Sequence, residues 1–183
     1  MTEELILVDS ENRIVGYDEK MACQTTRPHL HRAFSVFLFR PDGSVLMQRR
    51  SSKKLLWPLF WSNACCSHPR RNESTHERAT TRLREELGIT TSLAPLYSFV
   101  YRAEYLDVGI EEEHCEVFAG QLTEEDLANN DSVNRDEVAE IIFVSPTELN
   151  AWIKRDPDSF TPWCKLEWEY ITGNNLVPVK HGI

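Results

Sequence analysis

Short apolar runs alternate with turn-forming residues along most of the chain. "ELILVD" (residues 4–9) and "RIVGYD" (13–18) flank "SEN" and predict a short N-terminal hairpin. A polar stretch runs from Glu19 to Pro28. "FSVFLF" (34–39) and "SVLMQRR" (44–50) then bracket "RPDG", whose proline and glycine suit a turn, so a second hairpin is expected. "LFWSNACCSH" (59–68) is the next strand candidate. Further strands are expected at "LYSFVYRAEY" (96–105), "EEEHCEVFAGQL" (111–122) and "EVAEIIFVS" (137–145).

Helical spacing is clearest in "STHERATTRLREELG", residues 74–88. Ser74 and Glu77 have the form of a capping box, and Gly88 is placed to end the helix. Ala79, Leu83 and Leu87 recur every four residues and make one apolar stripe, while Arg78, Arg82 and Glu86 share another face. Ser145-Pro146-Thr147-Glu148 and Thr161-Pro162 read as two later helix starts. Strands mixed with a few helices, with hairpins prominent, predict the α/β class in its mixed α+β form: a mixed sheet between helices. With no repeat, low-complexity tract or long linker, one domain spanning 1–183 is expected.

Composition narrows the function more than the fold. The 183 residues are 41% hydrophobic and 27% charged, ordinary for a globular domain with a real core. A formal net charge of −9 speaks against nucleic-acid or anionic-membrane partners, while leaving room for a local basic pocket. The longest apolar runs are strand-sized, and the acidic N-terminus does not read as a secretory signal, so a cytoplasmic location is expected. Five cysteines without regular spacing argue against a disulfide framework. Cys65 and Cys66 are adjacent, so on a strand they point opposite ways and at most one faces any given site.

The same alternation puts Glu111 and Glu113 on one face of their strand and Glu112 on the other. Two such carboxylates repel unless a cation or a shared proton lies between them; otherwise they form a solvated acidic edge. Cys66 and His68 share a face, and so would His29 and His31 in an extended segment. Two histidines and two carboxylates from separate elements make the donor set of a divalent-metal site, if the fold brings them together. Glu85 and Glu86, with Arg82 one turn back, suit either an exposed salt-bridged helix face or a Mg²⁺ that also binds substrate phosphates. Lys20, Arg49, Arg50, Lys53 and Lys54 are the basic residues that could join them at an anion.

"LHRAFSVFLF", "WSNACCSHP", "RLREELGI" and "EEEHCEVF", in this order and at these separations, resemble the type I isopentenyl-diphosphate isomerases of the Nudix superfamily. The resemblance runs from about Glu19 to "FTPW" at 160–163. It implies the Nudix fold, an α/β/α sandwich on a mixed sheet, with a core of about residues 29–165. An N-terminal hairpin and lid segment (1–28) and a C-terminal helix would complete it. The signature of Nudix hydrolases is altered: Ser67 stands at its opening glycine, and Thr81 and Arg82 at its Arg-Glu pair, leaving Glu85, Glu86 and Gly88. Losing a helix carboxylate fits an enzyme that grips a diphosphate without cleaving it, and weighs against the alternative, a hydrolase of nucleoside diphosphates.

Residue by residue, the resemblance implies Cys66 and Glu113 as catalytic groups. It implies His31, His68, Glu111 and Glu113 as ligands of Mn²⁺ or Zn²⁺, and Glu86 as the acid holding a substrate-associated Mg²⁺. Lys20, Arg50, Lys54, Ser67 and Arg82 match diphosphate contacts, Tyr101 a hydroxyl beside the glutamate, and Trp163 an aromatic wall. At the position where many bacterial relatives carry another metal-binding histidine this chain has Gln24, so Gln24, Cys23 or His29 is the candidate substitute. The expected partner is a small diphosphate substrate, and the expected state a monomer or weak homodimer.

Overall fold

The computed structural model describes residues 3–25, 28–123, 126 and 132–177. In chain order the named elements are strands β1 (Glu4–Val8) and β2 (Ile14–Glu19), helix α1 (Lys20–Thr25), and strands β3 (His31–Phe39), β4 (Val45–Arg50), β5 (Trp61–Ser62) and β6 (Cys65–Ser67). There follow α2 (Thr75–Leu87), β7 (Leu93–Tyr105), β8 (Gly109–Gln121), β9 (Val138–Val144), α3 (Pro146–Arg155), a 3₁₀ turn at Pro157–Ser159, and α4 (Pro162–Gly173).

β3 is the axis of the sheet. It runs parallel to β8 along its whole length and antiparallel to β6 at Phe34–Val36, with β1 meeting it at His31. β7 and β8 form a long antiparallel hairpin, and β9 runs antiparallel to β4. The expected β3–β4 hairpin is paired only at Phe39 and Val45. Beyond that mouth the strands part: β6 takes the edge of β3 and β4 takes β9 as its neighbour.

Alternation along β3 sorts the core into two sides. Phe34, Val36 and Leu38 pack with Cys65 against Ala79, Leu83 and Leu87, the stripe of α2. Ala33, Phe37 and Phe39 face the other way, toward Trp163, Cys164, Trp168 and Ile171 of α4. A strand buried on both faces reads as a continuous apolar run, which is why "FSVFLF" shows no alternation. Cys65 and Cys66 fall on opposite sides, as their adjacency requires. α2 starts at a complete Ser74–Glu77 capping box, an arrangement worth ~1 kcal/mol. It ends at Gly88 with φ 71°, where a Cβ would lie 2.2 Å from Cβ of Ser132, so only glycine fits.

Three expectations are corrected. Residues 59–68 are not one strand. Asn63 is fully buried and donates its side-chain amide to the carbonyls of Val36 and Cys65 at 3.2 and 3.0 Å, where the chain leaves β5 on the edge of β4 and enters β6 on the edge of β3. The polar stretch after Glu19 contains α1, a helix too short to persist by propensity and held by packing against β8. Its close approach depends on Gly109, where a Cβ would come within 2.4 Å of the Gln24 carbonyl oxygen. Finally, β3 begins at His31 and β7 at Leu93, each three residues earlier than the apolar pattern suggests.

Candidate active site

Strand register assembles the first cluster. His31 opens β3 directly beside Glu113 of β8, and Tyr101 of β7 is paired with Glu113 on its other edge. Glu111 projects on the same face as Glu113, two residues away. His68 follows β6, with its ring 4.9 Å from that of His31. One donor atom from each of His31, His68, Glu111 and Glu113 lies within 4.8 Å of all the others, and all four residues are buried.

The hydrogen bonds leave lone pairs aimed inward. Nδ1 of His31 donates to the His29 carbonyl at 2.7 Å, which fixes the tautomer and exposes the Nε2 lone pair. That Nε2 and Oε2 of Glu111 have no hydrogen-bond partner, although both are buried. His68 Nε2 lies 3.0 Å from Oε1 of Glu113, and the Tyr101 hydroxyl donates to Oε2 at 2.6 Å. Two imidazole nitrogens and two carboxylates with orphaned buried atoms fit a divalent metal ion better than a set of mutually satisfied groups would.

Electrostatics couple the four groups: burial disfavours a charged His31, yet Glu113 and then Glu111 outweigh it and raise the imidazole. Burial favours the neutral acid at Glu113, but the neighbouring His31 and His68 outweigh it and hold the carboxyl well below the usual carboxylate range. Glu111 is pushed upward by burial and then by the charge on Glu113. Burial pushes His68 down to about 4, so at neutral pH its imidazole is uncharged and keeps a lone pair on one ring nitrogen. Burial, then Glu113, raises the Tyr101 hydroxyl. Of the three candidates for the substituted ligand, Gln24 alone reaches the cluster: its amide donates to Oε1 of Glu111 at 2.8 Å. Cys23 and the His29 side chain lie outside the cluster.

Cys66 and Glu113 both open onto one cavity of about 460 Å³. Its walls also carry Lys20, Arg50, Lys54, Ser67, Arg82, Tyr101 and Trp163, the full set that the resemblance implies for substrate contact. The N-terminal segment contributes through Glu3, Lys20, Met21 and Gln24, and α4 through Trp163. Cys66 is half-buried, and burial pushes its thiol up to about 12. Trp163 is held by its Nε1, which donates to Ser62 Oγ at 3.1 Å and Asn63 Oδ1 at 3.2 Å. Trp57 meets it in a T-shaped contact at 5.1 Å. Trp57 itself has φ 48°, a strained value for a bulky residue. Arg50 braces that turn by donating to the carbonyls of Trp57 and Leu56 at 3.0 and 2.9 Å.

Other expected residues lie elsewhere. Glu86 is buried, accepts from Arg82, and does not line the cavity. A single carboxylate already bonded to Arg82 is not a preformed metal pocket; it fits only a cation that brings phosphate oxygens as its other ligands. Arg49 turns away to the Leu59 carbonyl and Glu140. Sequence reasoning missed the acids Glu3 and Glu137, which pair with Lys20 and Lys54 on the cavity wall. It also missed Glu167, a fully buried glutamate of α4. Its signal was legible: an acid within the apolar spacing Trp163, Cys164, Trp168, Ile171.

A NUDIX domain model matches residues 29–164. The chain is 38% identical over 176 residues to isopentenyl-diphosphate Delta-isomerase 1 of Photorhabdus laumondii, covering 95% of this chain and 97% of that protein. It is 40% identical to an isopentenyl-diphosphate Delta-isomerase of Nocardia farcinica, covering 86% and 87%. A crystallised protein of Deinococcus radiodurans superposes with a TM-score of 0.67 at 21% identity, over 84% of this chain and 90% of that one. The MutT protein of Methanosarcina mazei Go1 gives 0.61 at 18% identity, over 78% and 93%; both show the shared fold. Among the described residues no helix is long and apolar enough to cross a membrane. With a NUDIX match over most of its length and curated relatives of this identity and coverage, the chain belongs to the isopentenyl-diphosphate Delta-isomerase family of the Nudix superfamily.

Proposed function

We propose that this enzyme interconverts isopentenyl and dimethylallyl diphosphate, with Cys66 and Glu113 as the proton-transferring pair. The observation that carries this reading is the single cavity in which a thiol, a buried carboxylate and a basic wall meet. Moving the double bond by one carbon requires a proton at the alkene terminus and removal of another from the carbon beyond the branch point. The species between is a tertiary carbocation. One group must donate, another must accept, and the surrounding walls must tolerate positive charge without attacking it.

Cys66 on β6 and Glu113 on β8 flank β3 from opposite edges, and both line the cavity. In the resting state burial keeps the proton on Cys66, and the histidines keep Glu113 ionised. The two directions of the reaction use the pair in exchanged roles. Tyr101 holds a proton against Glu113 Oε2 and fixes the carboxylate plane. Trp163 presents a π surface to the cation, worth ~1–2 kcal/mol in a dry site. Lys20, Arg50, Lys54 and Arg82 hold the diphosphate, so remote binding energy positions the hydrocarbon end. The N-terminal segment and α4 keep water from the cation.

His31, His68, Glu111 and Glu113 would hold Mn²⁺ or Zn²⁺, and Glu86, off the cavity wall and bonded to Arg82, would serve only a Mg²⁺ that arrives with the diphosphate. An ion at the histidine–glutamate cluster would supply positive charge that offsets two neighbouring buried carboxylates and would tune the acidity of Glu113. The test is to supply isopentenyl diphosphate and Mg²⁺ and to follow both products and free phosphate. Dimethylallyl diphosphate without phosphate release is expected; phosphate release without isomerisation would select the hydrolase instead.

A further inference from the structure

Three cations of the cavity wall, Lys20, Lys54 and Arg82, already have acidic partners. Glu137, just before β9, pairs through Oε2 with Lys54 and lies with Oε1 3.3 Å from Arg82 Nη2. Near His68, Glu3 pairs with Lys20 at 3.2 Å. Both acids line the cavity, and their side chains are only 27% and 34% exposed, so these are not loosely solvated surface pairs. A carboxylate whose two oxygens span two cations at the mouth of a cavity occupies the place that two oxygens of a phosphoryl group would take.

We infer that Glu137 is a resident counter-anion of the diphosphate subsite: in the empty enzyme it holds Lys54 and shares Arg82 with Glu85 and Glu86, and an entering anion must displace it from both cations. Glu3 plays the same part for Lys20. The inference rests on the reading of Lys54 and Arg82 as diphosphate contacts and deepens it. It explains why a cavity with so many basic groups need not hold every stray anion. A ligand that meets one cation leaves Glu137 on the other, whereas a diphosphate carries enough oxygens and charge to replace both contacts.

The local frame does not depend on the Glu137 side chain. Its carbonyl accepts from Ser51 N–H at 2.9 Å, its N–H donates to the Asn134 carbonyl at 3.0 Å, and Lys54 N–H donates to the Ser51 carbonyl at 3.2 Å. Glu137→Gln therefore keeps the loop that carries Lys54 and removes one negative charge.

The experiment is calorimetric titration of the full chain with inorganic pyrophosphate and, separately, inorganic phosphate, both in a chelating buffer free of divalent metal. For Glu137→Gln the expected result is pyrophosphate binding tightened on the order of tenfold, with phosphate binding tightened as well. A merely structural role predicts the opposite sign, because loosened cations bind anions less well. Unchanged or weakened pyrophosphate binding overturns the inference. Should Glu137→Gln fail to fold, Glu137→Asp and Glu3→Gln replace it. Tightening in either supports the proposal, and unchanged binding in both rejects it. Tightening in a protein whose wild type does not isomerise isopentenyl diphosphate would sink the proposed function and leave this inference standing. Isomerisation without tightening would do the reverse.

Discussion

The two ends of the cavity are built in opposite ways. At one end His31, Glu111, Glu113 and Tyr101 project from long, mutually paired strands, are almost fully buried, and keep lone pairs unspent. At the other end Lys54 on a loop and Arg82 on α2 are less completely buried and are matched by Glu137 of the same chain. The first end is fixed in place before any ligand arrives, as proton transfer demands of groups that must meet a small hydrocarbon within hydrogen-bond reach. The second end exchanges partners, as capture and release of a highly charged diphosphate demands. Rigidity is spent where bonds change, and internal ion pairing where a ligand comes and goes.

That contrast orders the expected effects. Cys66→Ala and Glu113→Gln should each lower turnover by about 10²–10⁴-fold or more with the fold retained, measured by product formation alongside circular dichroism. Wild-type turnover in either would remove the strand end from the chemistry. Removing divalent metal should destabilise the strand end specifically. A site saturated at a hundred times its dissociation constant contributes about 2.7 kcal/mol, so chelation should lower the melting temperature, and His31→Ala should abolish that response.

Glu167 provides a smaller effect, set apart from both ends. Burial raises its carboxyl from 4.5 to about 8, with the charge of Glu113 adding to the rise, and its Oε2 has no partner. The folded state therefore favours the protonated acid. The corresponding stability is complete below pH 4.5 and is lost as the pH climbs toward about 8. At ~1.4 kcal/mol per pH unit, several kcal/mol should disappear across that window. Glu167→Gln should flatten the alkaline decline in melting temperature; parallel curves for the two proteins would contradict it. The smallest effect is expected at Gln24. Gln24→His should tighten metal binding in a chelator competition, because an imidazole lone pair would replace an amide that now donates to Glu111. Unchanged affinity would show that this position does not reach the metal.

What was legible in the sequence follows the same division. Periodicity and capping found α2 with its Ser74 and Gly88 ends, because local chemistry determines both. Alternation correctly separated Cys65 from Cys66 and grouped Glu111 with Glu113, because strand geometry allows nothing else. Convergence of His31 with Glu113 was not legible: it depends on a parallel pairing of strands some eighty residues apart in the chain, which no local pattern encodes. The break at Asn63 and the short helix α1 escaped for a related reason. Both are imposed by tertiary partners, the Val36 carbonyl in one case and the glycine-sized gap at Gly109 in the other. Glu3 and Glu137 escaped because surface acids are common, and only the fold shows which of them face a ligand's cations.

Isomerisation here rests on a side-chain acid of the protein that delivers the proton and a second group that takes another away. Isopentenyl diphosphate incubated with the wild-type enzyme and Mg²⁺ in D₂O tests this directly. Acids that exchange with solvent should leave deuterium on the terminal methyl carbon of the dimethylallyl product, detected by NMR. Product formed at the full rate with no solvent deuterium would mean that hydrogen moves within the substrate, and that Cys66 and Glu113 do not carry it.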